Sequence, residues 1–184
     1  MMTRVGQLLI AHPNIPAANP FSKSVIYIFA DNEEGVQGIM LNKPTKYTVN
    51  GFMESRGFEI HTTREYMRFG GPVSSKLIFL LHTDDWDSSS SYSVGKGLKL
   101  SCDTFMLEKM SFGFQPSLWR MAVGICAWQP GQLEMELEGK KPYRPENSWL
   151  VADASDSIIF EHDKEKQWER ALELSRNQMI ANFF

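Results

Sequence analysis

The chain is written as short apolar runs, each closed by turn residues within a few positions, and that spacing limits its fold more than any other feature. Leu8–Ala11, Ser24–Ala30, Val36–Leu41, Leu77–Thr83 and Met121–Trp128 are brief and rich in β-branched, aromatic and other large apolar residues. Runs of this kind predict strands rather than helices. The longest uninterrupted apolar stretch, Val25–Ala30, falls far short of the ~20 residues needed to cross a bilayer. Arg4 followed by Leu8–Ala11 imitates an export signal, but Gln7 and His12-Pro13 interrupt it, and a first strand fits better.

Asp31–Gly35 lies between two of these runs and predicts a β-hairpin joining Ser24–Ala30 to Val36–Leu41, with Gly where positive φ is wanted. Asn42-Lys43-Pro44 ends the second strand, and Val49–Arg56 makes a short helix closed by Gly57. Gly70-Gly71-Pro72 introduces Leu77–Thr83, whose consecutive apolar residues predict burial on both faces. Ser88–Ser91 reads as a free polar turn, and Leu98–Leu100 as a short strand. Cys102–Met110 predicts a helix with Cys102, Phe105, Met106 and Met110 on its apolar side. After Met121–Trp128, a short acidic helix, Gln132–Glu138, is bounded by Pro130-Gly131 and Gly139. Ile158–Phe160 is the last strand expected. A terminal helix starts from Asp163 as N-cap, with Trp168, Leu172, Met179 and Phe183 on one stripe. Strands and helices without regular alternation predict an α+β fold with a mixed, largely antiparallel sheet, and 184 residues fit one domain spanning 1–184.

A net charge of −3 leaves no field to hold a polyanion, so nucleic acid is not an expected partner. The one basic cluster, Lys140-Lys141 with Arg144, reads as a solvated loop. Cys102 and Cys126 form no C-x-x-C pair and no disulfide framework, and are expected to be reduced core residues of a cytoplasmic protein. No membrane association follows from the sequence.

Signatures of established chemistry do not appear. Gly95-Lys96-Gly97 lacks the upstream Gly and the hydroxyl of a phosphate loop, and no G-x-G-x-x-G occurs. His12, His61, His82 and His162 are widely spaced with no cysteine beside them, so neither a metal nor a cofactor is expected. No G-x-S-x-G elbow is present, and Ser24 and Ser101 have no partner nearby in sequence, although triads are set by geometry rather than order. Asp84, Asp85 and Asp87, and likewise Glu134, Glu136 and Glu138, read as solvated surface.

Several segments taken in order resemble one family. Gln7–Pro13 and Pro20–Ile28 are similar to the opening of the YqgE/AlgH family; Gly38–Pro44 (GIMLNKP) matches its G-[ILM]-[ILM]-[ILM]-N-[KR]-P element. Gly70–Val73 (GGPV), Phe79–Thr83 (FLLHT), Gly124–Glu136 (GICAWQPGQLEME), Asn147–Leu150 and Ile159-Phe160 continue the match over nearly the whole chain. Asn19 stands where the family usually has Asp, and Lys140–Glu146 is an insertion. The resemblance implies a bifurcated sheet curled into a pseudo-barrel with helices around it, in a bacterial cytosolic protein. It implies no defined catalytic set. One branch bears the label of transcriptional regulator, but the chain shows no helix-turn-helix pattern to match.

The function expected is that of a non-enzymatic regulatory or binding protein, engaging a small ligand or a protein partner, in an oligomeric state the sequence leaves open. The alternatives are an enzyme with a site near His82 and Trp128–Gln132, and a DNA-binding regulator. The hypothetical ligand site combines Asn42, Lys43, Gly70, Gly71, His82, Trp128 and Gln132 at one sheet rim. Glycines allow close approach, Lys43 offers a cation, the amides offer hydrogen bonds and Trp128 a flat wall, a set suited to a small polar or anionic ligand.

Overall fold

The computed structural model describes residues 3–59, 64–143, 149–161 and 164–183. Its opening strands are β1 (Gln7–Ala11), β2 (Val25–Asn32) and β3 (Gly35–Met40), antiparallel neighbours in a continuous sheet. The hairpin between β2 and β3 forms as expected, with Asn32 opposite Gly35, so the turn is tighter than the five residues assigned to it. Alternation explains the unbroken apolar runs. Leu8, Ile10, Val25 and Tyr27 enter one core, while Leu9, Ala11, Ile26 and Ile28 enter another on the opposite face. A sheet buried on both sides needs apolar residues at every position.

The chain continues through β4 (Pro44–Thr48), α1 (Val49–Ser55) and β5 (Tyr66–Phe69) into the long β6 (Val73–Thr83). Strands β4 and β5 have no counterpart among the sequence expectations; Pro44 heads an edge strand, where its missing N–H costs nothing. The burial expected along Leu77–Thr83 holds for Phe79–His82, whereas Leu77 is exposed. Then follow β7 (Tyr92–Ser93), β8 (Leu98–Ser101), α2 (Thr104–Ser111), β9 (Trp119–Trp128) and α3 (Gln132–Glu138). In α2 the buried residues are Met106, Leu107 and Met110; Phe105, expected on the apolar side, faces solvent.

The last elements are β10 (Trp149–Asp153), α4 (Asp156–Ile159) and α5 (Lys164–Ala181). Ile158–Phe160, expected as a strand, lies in and just after α4, because a three-residue apolar run carries no period to tell the two apart. The final strand is β10 instead, antiparallel to β1. Helix α5 buries Gln167, Ala171, Leu172 and Ser175; of the predicted stripe Leu172 enters the core and Trp168 packs against it, whereas Met179 and Phe183 are exposed. Polar anchors also hold this face: Gln167 Nε2 donates to the carbonyls of Ile158 and Ile159 at 2.8 and 3.0 Å, and Ser175 Oγ to that of Val151. Asp163, His61 and His162 lie outside the described residues, as does part of the Lys140–Glu146 insertion.

The main path of the sheet runs β10-β1-β2-β3-β9-β6-β8-β7, and it forks at β9. One edge of β9 pairs with β6; its other edge pairs with β3 near Trp128 and, in parallel, with β5 near Ala122. The result is an α+β fold whose largely antiparallel sheet curls into a half-barrel with helices around it. Gly70, Gly71 and Gly124 make the fork possible. A Cβ on Gly70 would stand 2.2 Å from the Gly124 carbonyl oxygen, and one on Gly71 would stand 2.1 Å from the Ile125 carbonyl carbon. Gly124 also has φ 73, where side chains are strained. The backbone that these glycines admit is that of a neighbouring strand.

Candidate functional site

Strand β9 ends at Trp128, and Gly131, left-handed at φ 78, turns the chain into α3. The helix then sets Gln132 and Glu136 one turn apart on the same side. From β10, Trp149 arrives against them. Glu136 is the polar centre: its Oε2 accepts the indole N–H groups of Trp128 at 3.1 Å and Trp149 at 2.8 Å, and its Oε1 accepts Gln132 Nε2 at 2.9 Å. The two indoles meet edge to face at 6.1 Å, and Phe21 packs edge-on to Trp149 at 5.9 Å.

Over this cluster opens a cavity of about 490 Å³, lined also by Pro72, Tyr143 and Asn19. Such a volume lies within the range of small-molecule sites. A carboxylate has about four acceptor positions, and three are taken by neutral donors, which leaves one on Oε1. Those donors hold the negative charge in place without cancelling it. Among the described residues no cation pairs with Glu136, whereas Glu134, two residues earlier, is bridged to Arg4 at 2.7 Å. Glu136 and Trp149 were missing from the sequence-predicted set. The usable signal was the four-residue spacing of Gln132 and Glu136 in a helix.

Asn42 and Lys43 line a different cleft, of about 360 Å³, with Lys23, Lys164 and Trp168. Asn42 is buried and commits both amide hydrogens: Oδ1 accepts Val25 N at 2.9 Å, and Nδ2 donates to the carbonyls of Lys23 at 2.7 Å and Lys164 at 3.4 Å. Lys43 Nζ donates to the Ser22 carbonyl. Burial, and then the positive charges of Lys164 and Lys23, hold its ammonium below the usual lysine range. Thus the seven predicted residues divide. Trp128 and Gln132 line one cavity, Asn42 and Lys43 another, and Gly70-Gly71 sit at the fork, delivering Pro72 to the tryptophan cavity.

His82 belongs to neither. It is fully buried on β6, and its two ring nitrogens meet the Thr83 carbonyl and Ser101 Oγ, each at 2.8 Å. A carbonyl only accepts, so Nδ1 carries the proton and Nε2 accepts from Ser101. Ser101 in turn accepts from Ser91 at 2.6 Å, and Ser91 accepts the Ser88 N–H. Burial pushes the imidazole pKa down, which favours this neutral form. The Ser–His contact is that of a nucleophile and its base, but Ser101 and His82 are both wholly inaccessible. Ser88–Ser91 is no free turn: Ser88 and Ser90 also bind Asp103, the N-cap of α2. Burial alone would raise the Asp103 pKa, and these hydrogen bonds outweigh it and bring it down.

Cys102 and Cys126 are both free thiols; burial pushes Cys126 up to about 12 and raises Cys102 as well, so neither is poised as a nucleophile. Among the described residues no group of three or more His, Cys, Asp or Glu converges as a metal site would require, and no helix is long and apolar enough to cross a membrane.

Comparison with known proteins agrees with this architecture. The profile of the AlgH-like family matches residues 8–179. A UPF0301 protein of Methylococcus capsulatus is 37% identical over 91% of this chain and 88% of its own length. One from Caulobacter vibrioides is 34% identical over 91% and 85%. The solution structure of AlgH from Pseudomonas aeruginosa superposes with a TM-score of 0.73 at 25% identity, covering 92% of this chain and 87% of that one. A crystal structure of a Corynebacterium diphtheriae protein gives 0.72 at 20% identity over 94% and 87%, and shares the fold.

Proposed function

The chain belongs to the AlgH-like family, and from that premise we propose that it is a non-enzymatic cytoplasmic binding protein that takes a small ligand in the cavity over Glu136. One observation carries the reading: a carboxylate held by three neutral N–H donors, with an acceptor position left over, at the base of an aromatic-walled cavity. A ligand suited to this lining brings an N–H or O–H donor to Glu136 Oε1, best on a positively charged group, and a flat apolar body against the tryptophans. Asn19 contributes an amide at the same cavity, where the family usually has an acid. Regulation would follow if binding altered a surface used by a partner.

The enzymatic alternative draws on the Ser101–His82 hydrogen bond. It is the weaker reading, because a substrate has no access to a serine that is fully buried. A DNA-binding role has no feature of comparable weight behind it, and the acidic net charge opposes it.

Native mass spectrometry of protein isolated under gentle conditions tests the proposal. The expected result is a non-covalent small molecule, released unchanged on denaturation and absent from Glu136→Leu protein that still folds. A wild-type protein that binds nothing from a small-molecule extract, or a variant that binds as well, would sink it.

A further inference from the structure

The lysine-lined cleft is a second built site, and nothing about it depends on the Glu136 cavity. Its three ammonium groups come from separate segments: Lys23 precedes β2, Lys43 follows β3, and Lys164 opens α5. Asn42 ties those segments together, since its amide hydrogens go to the carbonyls of Lys23 and Lys164. Lys23 is held in left-handed backbone, φ 53, which is uncommon for a residue with a Cβ, and its ammonium lies 5.5 Å from the centre of the Trp168 ring. Among the described residues none of the three lysines forms an ion pair. The charges acting on Lys43 are Lys164 and Lys23, both repulsive. Two acids, Glu165 and Glu169 on the first turns of α5, share the lining, and both are exposed.

Converging like charges around an open cleft call for an anion. Its chemistry follows from the donors. Lysine ammoniums are compact point charges with three donors each, and three of them together suit the several oxygens of a phosphoryl group better than the two of a carboxylate. The volume of about 360 Å³ restricts the ligand to a small molecule, and Trp168 supplies one apolar wall. We propose that the Lys23–Lys43–Lys164 cleft binds the phosphoryl group of a small phosphorylated molecule.

Titration of the full chain with inorganic phosphate and with glycerol phosphate, followed by ¹H–¹⁵N NMR against sodium chloride of equal ionic strength, tests this. The expected result is saturable shifts at Lys23, Lys43, Lys164 and the Trp168 indole, with glycerol phosphate binding more tightly than the inorganic ion. Lys164→Gln, on an exposed residue whose side chain makes no hydrogen bond among the described residues, should weaken binding about tenfold, the scale of one lost charge-assisted bond. Lys43→Gln should do the same, and Glu169→Gln should tighten it. Shifts that match those in chloride, or that survive both lysine substitutions, overturn the site. Equal binding of the two phosphates overturns the small-molecule assignment and leaves a site for the free ion.

Discussion

The Glu136 cavity and the His82 chain are two polar clusters in one fold, and they differ in what they leave open. In the His82 chain each hydrogen bond runs onward from the Ser88 N–H through Ser91, Ser101 and the imidazole to the Thr83 carbonyl. It looks like catalytic machinery, yet its central members are sealed from solvent, and it locks β6 to β8 and to the serine turn. Around Glu136 the donors also converge, but they stop one short and face a cavity. Geometry alone does not separate a reactive group from a structural one. Access and an unfilled valence do.

Glu136→Leu should break the contrast most strongly. It leaves two largely buried indole N–H groups and an amide without their acceptor, a cost of about 3 kcal/mol in chemical denaturation, together with loss of ligand binding. A variant as stable as wild type would show the carboxylate to be incidental. His82→Leu should cost about 2 kcal/mol, because Ser101 and the Thr83 carbonyl lose their partner, but should leave ligand binding intact. Loss of binding in that variant would join the two regions and revive the catalytic alternative.

The same histidine predicts a pH dependence. Its folded pKa is depressed below 6.5, so at acid pH the unfolded chain takes up a proton that the folded chain refuses. The stability it contributes is therefore present above pH 6.5 and is lost as the pH falls below that value toward the folded pKa. Denaturation curves of wild type and His82→Gln should diverge above pH 6.5 and converge below it; parallel curves would count against the buried neutral ring. The smallest effect belongs to Lys43→Met. Removing a partly buried charge repelled by two others should change stability by less than about 1 kcal/mol, since the lost bond to Ser22 and the relieved repulsion offset each other. A larger loss would make the lysine cleft structural.

Much of this fold was legible in the chain. The β2–β3 hairpin follows from two apolar runs around Asp31–Gly35, and α3 from its flanking Pro130-Gly131 and Gly139. What escaped depended on partners distant in sequence. Strand β10 is recognisable only beside β1, and the buried face of α5 combines Ala171 and Leu172 with Gln167 and Ser175, polar residues whose backbone-carbonyl partners lie in other elements. Of the candidate cavity, Trp128 and Gln132 stand out in the turn after β9, but Glu136 alternates with Leu133, Met135 and Leu137 among other acids and reads as solvated. Only Trp149, brought in by β10, reveals its role. Gly70-Gly71 were noticed for the right physical reason, close approach, but the approaching group is β9.

The most direct test uses the tryptophans themselves. The indole N–H groups of Trp128 and Trp149 both point at Glu136, while that of Trp86, whose ring packs edge-on to His82 at 4.9 Å, donates to the Phe114 carbonyl at 2.8 Å. Their side-chain signals in a ¹H–¹⁵N spectrum therefore report the two regions separately. On addition of a ligand recovered from the native protein, the Trp128 and Trp149 signals should move together and saturate while Trp86 stays fixed. Movement of Trp86 with Trp128 and Trp149 unchanged would contradict the account and place the function at His82.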